Sequence, residues 1–114
     1  KLLIVETDNY SEKLDVLVKT VKNTVRKIKN MYSRIAVICS VETCNEYSDL
    51  GVEIINLGSR KQPFIIARNL FKTLRELDEL GIEYAVVEGY EEKGLGLTIM
   101  NRLRKASGQN IIRV

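Results

Sequence analysis

The stretch E-K-G-L-G-L-T-I-M-N-R-L-R-K-A-S-G, from Glu92 to Gly108, sets Gly94 and Gly96 one residue apart ahead of a helical pattern. A glycine turn that opens a helix can offer backbone N–H groups to a phosphate, because first-turn N–H groups lack intrahelical acceptors. A dinucleotide fingerprint would need a third glycine at position 99, which is Ile99. That fingerprint also follows the first strand of its unit, whereas this turn follows a late one. No Gly-Lys-Ser or Gly-Lys-Thr follows, so the turn is not a P-loop. The spacing favours a tight turn with close helix packing, and leaves a simple anion site as the alternative.

A second set of polar groups is Arg68, Arg75 and Arg102, with Asn101. Arg68 and Arg75 are seven apart, two helical turns, and share a face with Lys72 between them. Such a face could clamp a phosphate, or a carboxylate from a partner domain. The competing reading is a solvated face on which Lys72 and Glu76 pair at i,i+4. Lys19, Lys22, Arg26 and Lys29 form a further basic stripe. No aromatic side chain interleaves with it, which favours an ordinary exposed face over an RNA contact. Glu6, Asp8 and Glu88 stand at the ends of apolar runs, where they read as arginine partners or loop caps rather than an acid/base pair. The chain has no His, which removes the commonest general base and every His-containing zinc site. Cys39 and Cys44 form one C-x4-C with no second pair, too few thiolates for a tetrahedral metal site.

Five apolar runs rich in Ile and Val must position these groups: Leu2–Val5, Arg34–Cys39, Val52–Leu57, Tyr84–Glu88 and Asn110–Val114. Three lack alternation, as strands covered on both faces do. Between the first two, Leu14, Leu17, Val18, Val21, Val25 and Ile28 make one apolar helix stripe, with Ser11 as the expected N-cap. A short helix is expected around Val41–Asp49. Pro63 to Leu80 reads as the clearest helix, burying Ala67, Leu70, Phe71, Leu74 and Leu77 and stopping at Gly81. The last helix, Leu95–Ser107, should bury Leu95, Ile99, Leu103 and Ala106. Strands alternating with helices predict an α/β fold, Rossmann-like and three-layered, with a five-stranded mainly parallel sheet and four helices. The expected strand order is 3-2-1-4-5. Ligands in such sheets bind at the carboxyl ends of the strands, here bounded by Glu6–Tyr10, Glu88–Gly96 and the rim Gly58–Pro63.

At 114 residues the chain is expected to be one domain, 1–114, with no need of a disulfide or metal to fold. Its net charge of +3 is too mild to argue for nucleic acid. No apolar run approaches the roughly 20 residues of a membrane span, and a cytoplasmic setting with reduced thiols is expected. The opening K-L-L-I-V-E starts within an apolar run without Met, as a piece of a longer protein would.

Ala67–Ser107 resembles a specific family, the C-terminal accessory domain of two-domain, Sua-type threonylcarbamoyl-AMP synthases. The matching residues are Ala67, Arg68, Leu70, Phe71, Leu74, Arg75, Leu77, Asp78 and Gly81, then Glu88, Gly94, Gly96, Ile99, Asn101, Arg102, Leu103 and Ala106. Thr98 stands where the family usually has Ala, and a small residue is kept. The resemblance implies an enzyme that converts L-threonine, bicarbonate and ATP into threonylcarbamoyl-AMP and pyrophosphate, for modification of tRNA adenosine. It also implies that the chemistry, with ATP and magnesium, belongs to an N-terminal catalytic domain joined by a linker, both absent from this sequence. No catalytic residue or metal ligand carries over. Arg68, Arg75, Asp78, Glu88, Gly94, Gly96, Asn101 and Arg102 become candidates for interdomain or ligand contact. The implied partners are the catalytic domain and linker, with tRNA or nucleotide recruitment as the alternative.

Overall fold

Apolar strands without alternation need cover on both faces, and the computed structural model, which describes residues 1–114, supplies it with helices on each side. The elements run β1 (Leu2–Glu6), α1 (Leu14–Ile28), β2 (Ile35–Cys39), a short 3-10 turn (Cys44–Tyr47), β3 (Glu53–Asn56), α2 (Pro63–Glu76), β4 (Tyr84–Glu88), α3 (Leu95–Ser107) and β5 (Ile111–Arg113). All sheet pairs are parallel, with Ile4 opposite Val87 and Val37 opposite Val86.

The α/β class and the five parallel strands are as the sequence predicts. The strand order is 3-2-4-1-5, so β1 and β4 exchange the places expected of them. Burial explains why: β1, β2 and β4 are buried at every position, and hydropathy gives them no order among themselves. Only β3 and β5 carry the partial exposure that marks an edge.

Leu17, Val21, Val25 and Ile28 of α1 pack with Leu3, Val5, Val37, Val86 and Tyr47 on one face of the sheet. On the other, Ile66 and Leu70 of α2 and Ile99, Met100 and Leu103 of α3 cover Ile4, Ile38 and Val87. Each such side chain contributes about 1.5–3 kcal/mol by leaving water. Three α-helices form rather than four, because Val41–Asp49 makes only the 3-10 turn. Its Thr, Cys and Asn are weak helix formers, and Ser40 O instead accepts from both Thr43 N and Cys44 N.

Smaller departures have local causes. Lys13, not Ser11, stands at the N-cap of α1. Asn9 Oδ1 accepts from the Ser11 hydroxyl (2.8 Å) and from Glu12 N (3.1 Å), which draws Ser11 into the preceding turn. Regular α2 ends at Glu76, and wound turns continue to Gly81, the expected stop, at φ +71°. Ala106 is exposed, and Gly96 and Met100 complete the buried stripe of α3 instead. No helix is long and apolar enough to cross a membrane.

Candidate functional site

Glu88 ends β4 at the carboxyl edge of the sheet and is wholly buried. A carboxylate in that position is costly unless paired and hydrogen-bonded. Arg60 Nη2 lies 2.9 Å from Glu88 Oε1, and the Thr43 hydroxyl donates to the same oxygen at 2.8 Å. The Tyr47 hydroxyl donates to Glu88 Oε2. Both carboxylate oxygens are occupied from inside the molecule.

Arg60 closes this centre from above. Its Nη1 donates to Gly89 O (2.9 Å) and its Nε to the Ser40 hydroxyl (3.2 Å). The guanidinium also lies 4.5 Å from the Tyr90 ring centroid and 5.2 Å from that of Tyr10, a cation–π arrangement on two rings. Glu42 fixes the loop bearing Arg60, accepting from the Ser59 hydroxyl (2.6 Å) and from Arg60 N (2.9 Å). Partial burial pushes the Glu42 carboxyl up, but those bonds outweigh it and hold the group below its ordinary range. The loops after β1, β2, β3 and β4 are thereby joined through one ion pair.

Glu6, also nearly buried, ends β1 beside this centre. Its Oε2 takes Arg104 Nη2 of α3 at 3.0 Å and Arg113 Nη2 of β5 at 2.9 Å. Arg104 also pairs with Glu92, and these hydrogen bonds raise its pKa further above the ordinary arginine value. A cavity of about 460 Å³ opens here, lined by Glu6, Thr7, Asp8, Tyr10, Glu91, Glu92, Arg104 and Arg113. A second, of about 270 Å³, lies over Arg60, Tyr90, Lys93 and Gly96. Burial raises the Tyr10 phenol to about 12, so it stays protonated between the two.

The Tyr90 hydroxyl is buried with no hydrogen-bond partner, and desolvation raises its pKa. An unpaired buried hydroxyl costs about 1–3 kcal/mol. Tyr90→Phe keeps the ring over Arg60 and is expected to stabilise the protein by about 1 kcal/mol. Chemical denaturation measures this, and a loss of stability would show that the hydroxyl has a partner.

The glycine turn is explained by contacts. Gly94 has φ +53° and ψ −124°, a conformation that L side chains rarely adopt. Gly96 sits against Glu91, whose carbonyl oxygen would lie 1.9 Å from an added Cβ. The Gly96 N–H donates to Lys93 O at 2.9 Å, so the turn uses that donor internally.

The candidate residues fall into two groups. Glu88, Gly94 and Gly96 lie at the carboxyl edge. Arg68, Arg75, Asn101 and Arg102 are exposed on α2 and α3, and Asp78 is exposed just past α2. Arg102 lies 5.2 Å from the Phe71 ring centroid, which joins the two helices' outer faces. Lys72 and Glu76 do not form the expected ion pair. Glu6 and Glu88 are arginine partners, as their residue types suggest, and Asp8 takes Lys13 (3.1 Å). Arg60, Tyr10, Tyr47, Tyr90 and Arg104 also belong to the site without any spacing signal in the sequence, although Arg60 lies in the rim segment Gly58–Pro63.

A family model described as threonylcarbamoyl-AMP synthase, C-terminal domain, matches residues 1–108. The threonylcarbamoyl-AMP synthase of Pyrococcus abyssi is 56% identical over 62 residues, 54% of this chain and 18% of that protein. The enzyme of the same name from Bacillus subtilis is 31% identical over 93 residues, 82% of this chain and 26% of that protein. The chain thus spans about a quarter or less of these relatives' length. Among solved structures, Pyrococcus abyssi Sua5 complexed with L-threonine superposes over 100% of this chain and 30% of its own, at 38% identity and TM-score 0.79. The C-terminal Sua5 domain of a Pyrococcus horikoshii protein covers 100% of this chain and 96% of its own, at 30% identity and TM-score 0.69.

Proposed function

Because the chain belongs to the family of threonylcarbamoyl-AMP synthase C-terminal domains, we propose that it is the accessory domain of such a synthase and docks on that enzyme's catalytic domain and linker. The enzyme would use L-threonine, bicarbonate and ATP to make threonylcarbamoyl-AMP and pyrophosphate for tRNA modification. One relative's solved structure, complexed with L-threonine, is in keeping with that substrate.

The carboxyl edge of the sheet carries the docking reading. Val16 of α1, Val41 after β2 and Leu97 of α3 are large apolar side chains about half exposed, and all three stand at this edge. Exposed apolar side chains spaced around one rim can be covered together by a docked partner. They surround loops that the Glu88–Arg60 pair holds together. A platform already ordered loses little conformational entropy on docking.

In this reading the domain supplies no reacting group. Glu88 has hydroxyls beside it, yet they and Arg60 occupy both its oxygens. ATP and magnesium do not suit the glycine turn, whose Gly96 N–H is engaged and which has no following P-loop lysine. They fall instead to the catalytic domain.

Val41→Asp with Leu97→Asp places two charges on the proposed contact without touching the core. In the synthase that carries this domain, the pair is expected to slow threonylcarbamoyl-AMP formation about tenfold, the equivalent of about 1.4 kcal/mol of lost docking. The chain's own melting should be unchanged. Undiminished turnover overturns the docking reading.

A further inference from the structure

We propose that the outer face of the α2–α3 pair binds a single strand of RNA. This face adjoins the carboxyl edge at Phe64, in the first turn of α2, and runs away from it along both helices; the proposal does not depend on the docking reading.

Arg68, Lys72 and Arg75 project from one side of α2, and Arg102 and Lys105 from the neighbouring exposed surface of α3. None of the molecule's ion pairs involves any of these five cations. By contrast, the basic stripe on α1 is partly satisfied from within. Lys22 pairs with Asp49 at 3.7 Å, Lys29 donates to Leu50 O at 2.6 Å, and Arg26 donates to Asn23. Glu76, one turn past Lys72, and Asp78 and Glu79, one turn past Arg75, form no ion pair with these cations.

Aromatic side chains interleave with these charges. Phe64, Arg68, Phe71 and Arg75 recur at spacings of four, three and four, one stripe of a helix. Phe64 is 70% exposed. Phe71 is half-buried and carries the Arg102 guanidinium against its ring. An acidic protein surface is the competing occupant, and the competition experiment below separates the two. A nucleic acid strand answers both charge and ring, with phosphates for the cations and a base face for Phe64. Arg68 and Arg75 stand about 10 Å apart along the axis, at 1.5 Å per residue. The facing helix lies about 8–10 Å away, so the patch spans a few nucleotides rather than a long duplex. Thr98 and Asn101, exposed on α3, add neutral hydrogen-bonding groups.

The test is fluorescence anisotropy of the chain with a labelled single-stranded RNA of about 12 nucleotides, across a salt series. A solved C-terminal domain of this family, of which this chain covers 96%, is itself a separate chain, so the domain is suited to study alone. Binding is expected at micromolar to tens of micromolar protein in low salt. The slope of log affinity against log salt should lie between about −2 and −3.5, from three to five phosphate contacts on a single strand. Arg68→Gln with Arg75→Gln and Arg102→Gln should weaken binding about tenfold or more and flatten that slope. Phe64→Ala should weaken it about fivefold or more with the slope unchanged. Both variants change exposed side chains, and circular dichroism checks that they fold. Lys19→Gln with Arg26→Gln on α1 should leave binding as it was. The proposal is overturned by no binding at 100-fold higher protein than about 1 µM, by loss confined to the α1 variant, or by equal competition from polyglutamate, which would indicate an acidic protein partner.

Discussion

Arg60→Met is expected to remove about 3–5 kcal/mol of stability, seen as a lower urea midpoint at unchanged slope. The expectation rests on Glu88, whose side chain has no exposure and whose countercharge is Arg60, itself 14% exposed. Met fills much of the same volume between Tyr10 and Tyr90 but leaves the carboxylate uncompensated in the core. A domain of this size has about 5–15 kcal/mol in total, so the loss would be about a fifth of it or more. Glu88→Gln should be milder, at about 1–2 kcal/mol. It removes the buried charge, and its amide oxygen still accepts from Thr43 or Tyr47. Arg60 would keep Gly89 O, the Ser40 hydroxyl and both rings. Combining the two substitutions should therefore cost less than Arg60→Met alone, with a coupling of about 1 kcal/mol or more. If the double variant is as unstable as Arg60→Met, packing against the tyrosines matters and the ion pair does not.

This centre also shows what the sequence carries and what it leaves out. The Ile- and Val-rich runs, Pro63 at the start of α2 and the stop at Gly81 are local signals, and each element appears close to its expected place. The order of the central strands is not local. With β1 beside β2, Glu88 would stand two strands away from Ser40 and Thr43, and its hydroxyl donors would be out of reach. The observed order puts β4 directly against β2, with Ile38 opposite Val87, and brings the loop after β2 onto Glu88. The order of the central strands and the partners of Glu88 are thus one non-local fact. Arg104 and Glu6 meet across 98 residues, a separation no spacing rule covers. A buried Glu88 requires a cation, and the rim segment Gly58–Pro63 offers Arg60 and Lys61. The two groups of candidate residues were equally hidden. Helical spacing places Arg68 and Arg75 together, but only the packing of α3 on α2 brings Arg102 to Phe71.

Gly96→Ala is the second large effect, and there the sign decides. Glycine inside a helix costs about 1 kcal/mol relative to alanine, so propensity alone predicts a gain. The backbone of Gly96 is not in the left-handed region, which removes strain as a reason for glycine. What remains is contact: an added Cβ would lie 1.9 Å from Glu91 O and 3.1 Å from its carbonyl carbon. Those are backbone atoms, and Glu91 O already accepts from Lys93 N at 2.9 Å. No rotamer change relieves the clash, so the loop or the first turn of α3 must shift. The expected loss is about 3 kcal/mol, at the upper end for overpacking. Gly108→Ala gives the comparison. That residue has φ +63° with nothing near its added Cβ, and should lose only about 1–2 kcal/mol through conformational strain. Denaturation of both variants measures the difference, and a stabilised Gly96→Ala would refute close approach as the reason for glycine there. The consequence reaches the proposed docking edge, because Glu91, Lys93 and Gly96 share one cavity wall with Arg60. A synthase carrying Gly96→Ala should lose activity through a displaced edge even under conditions where the domain remains folded.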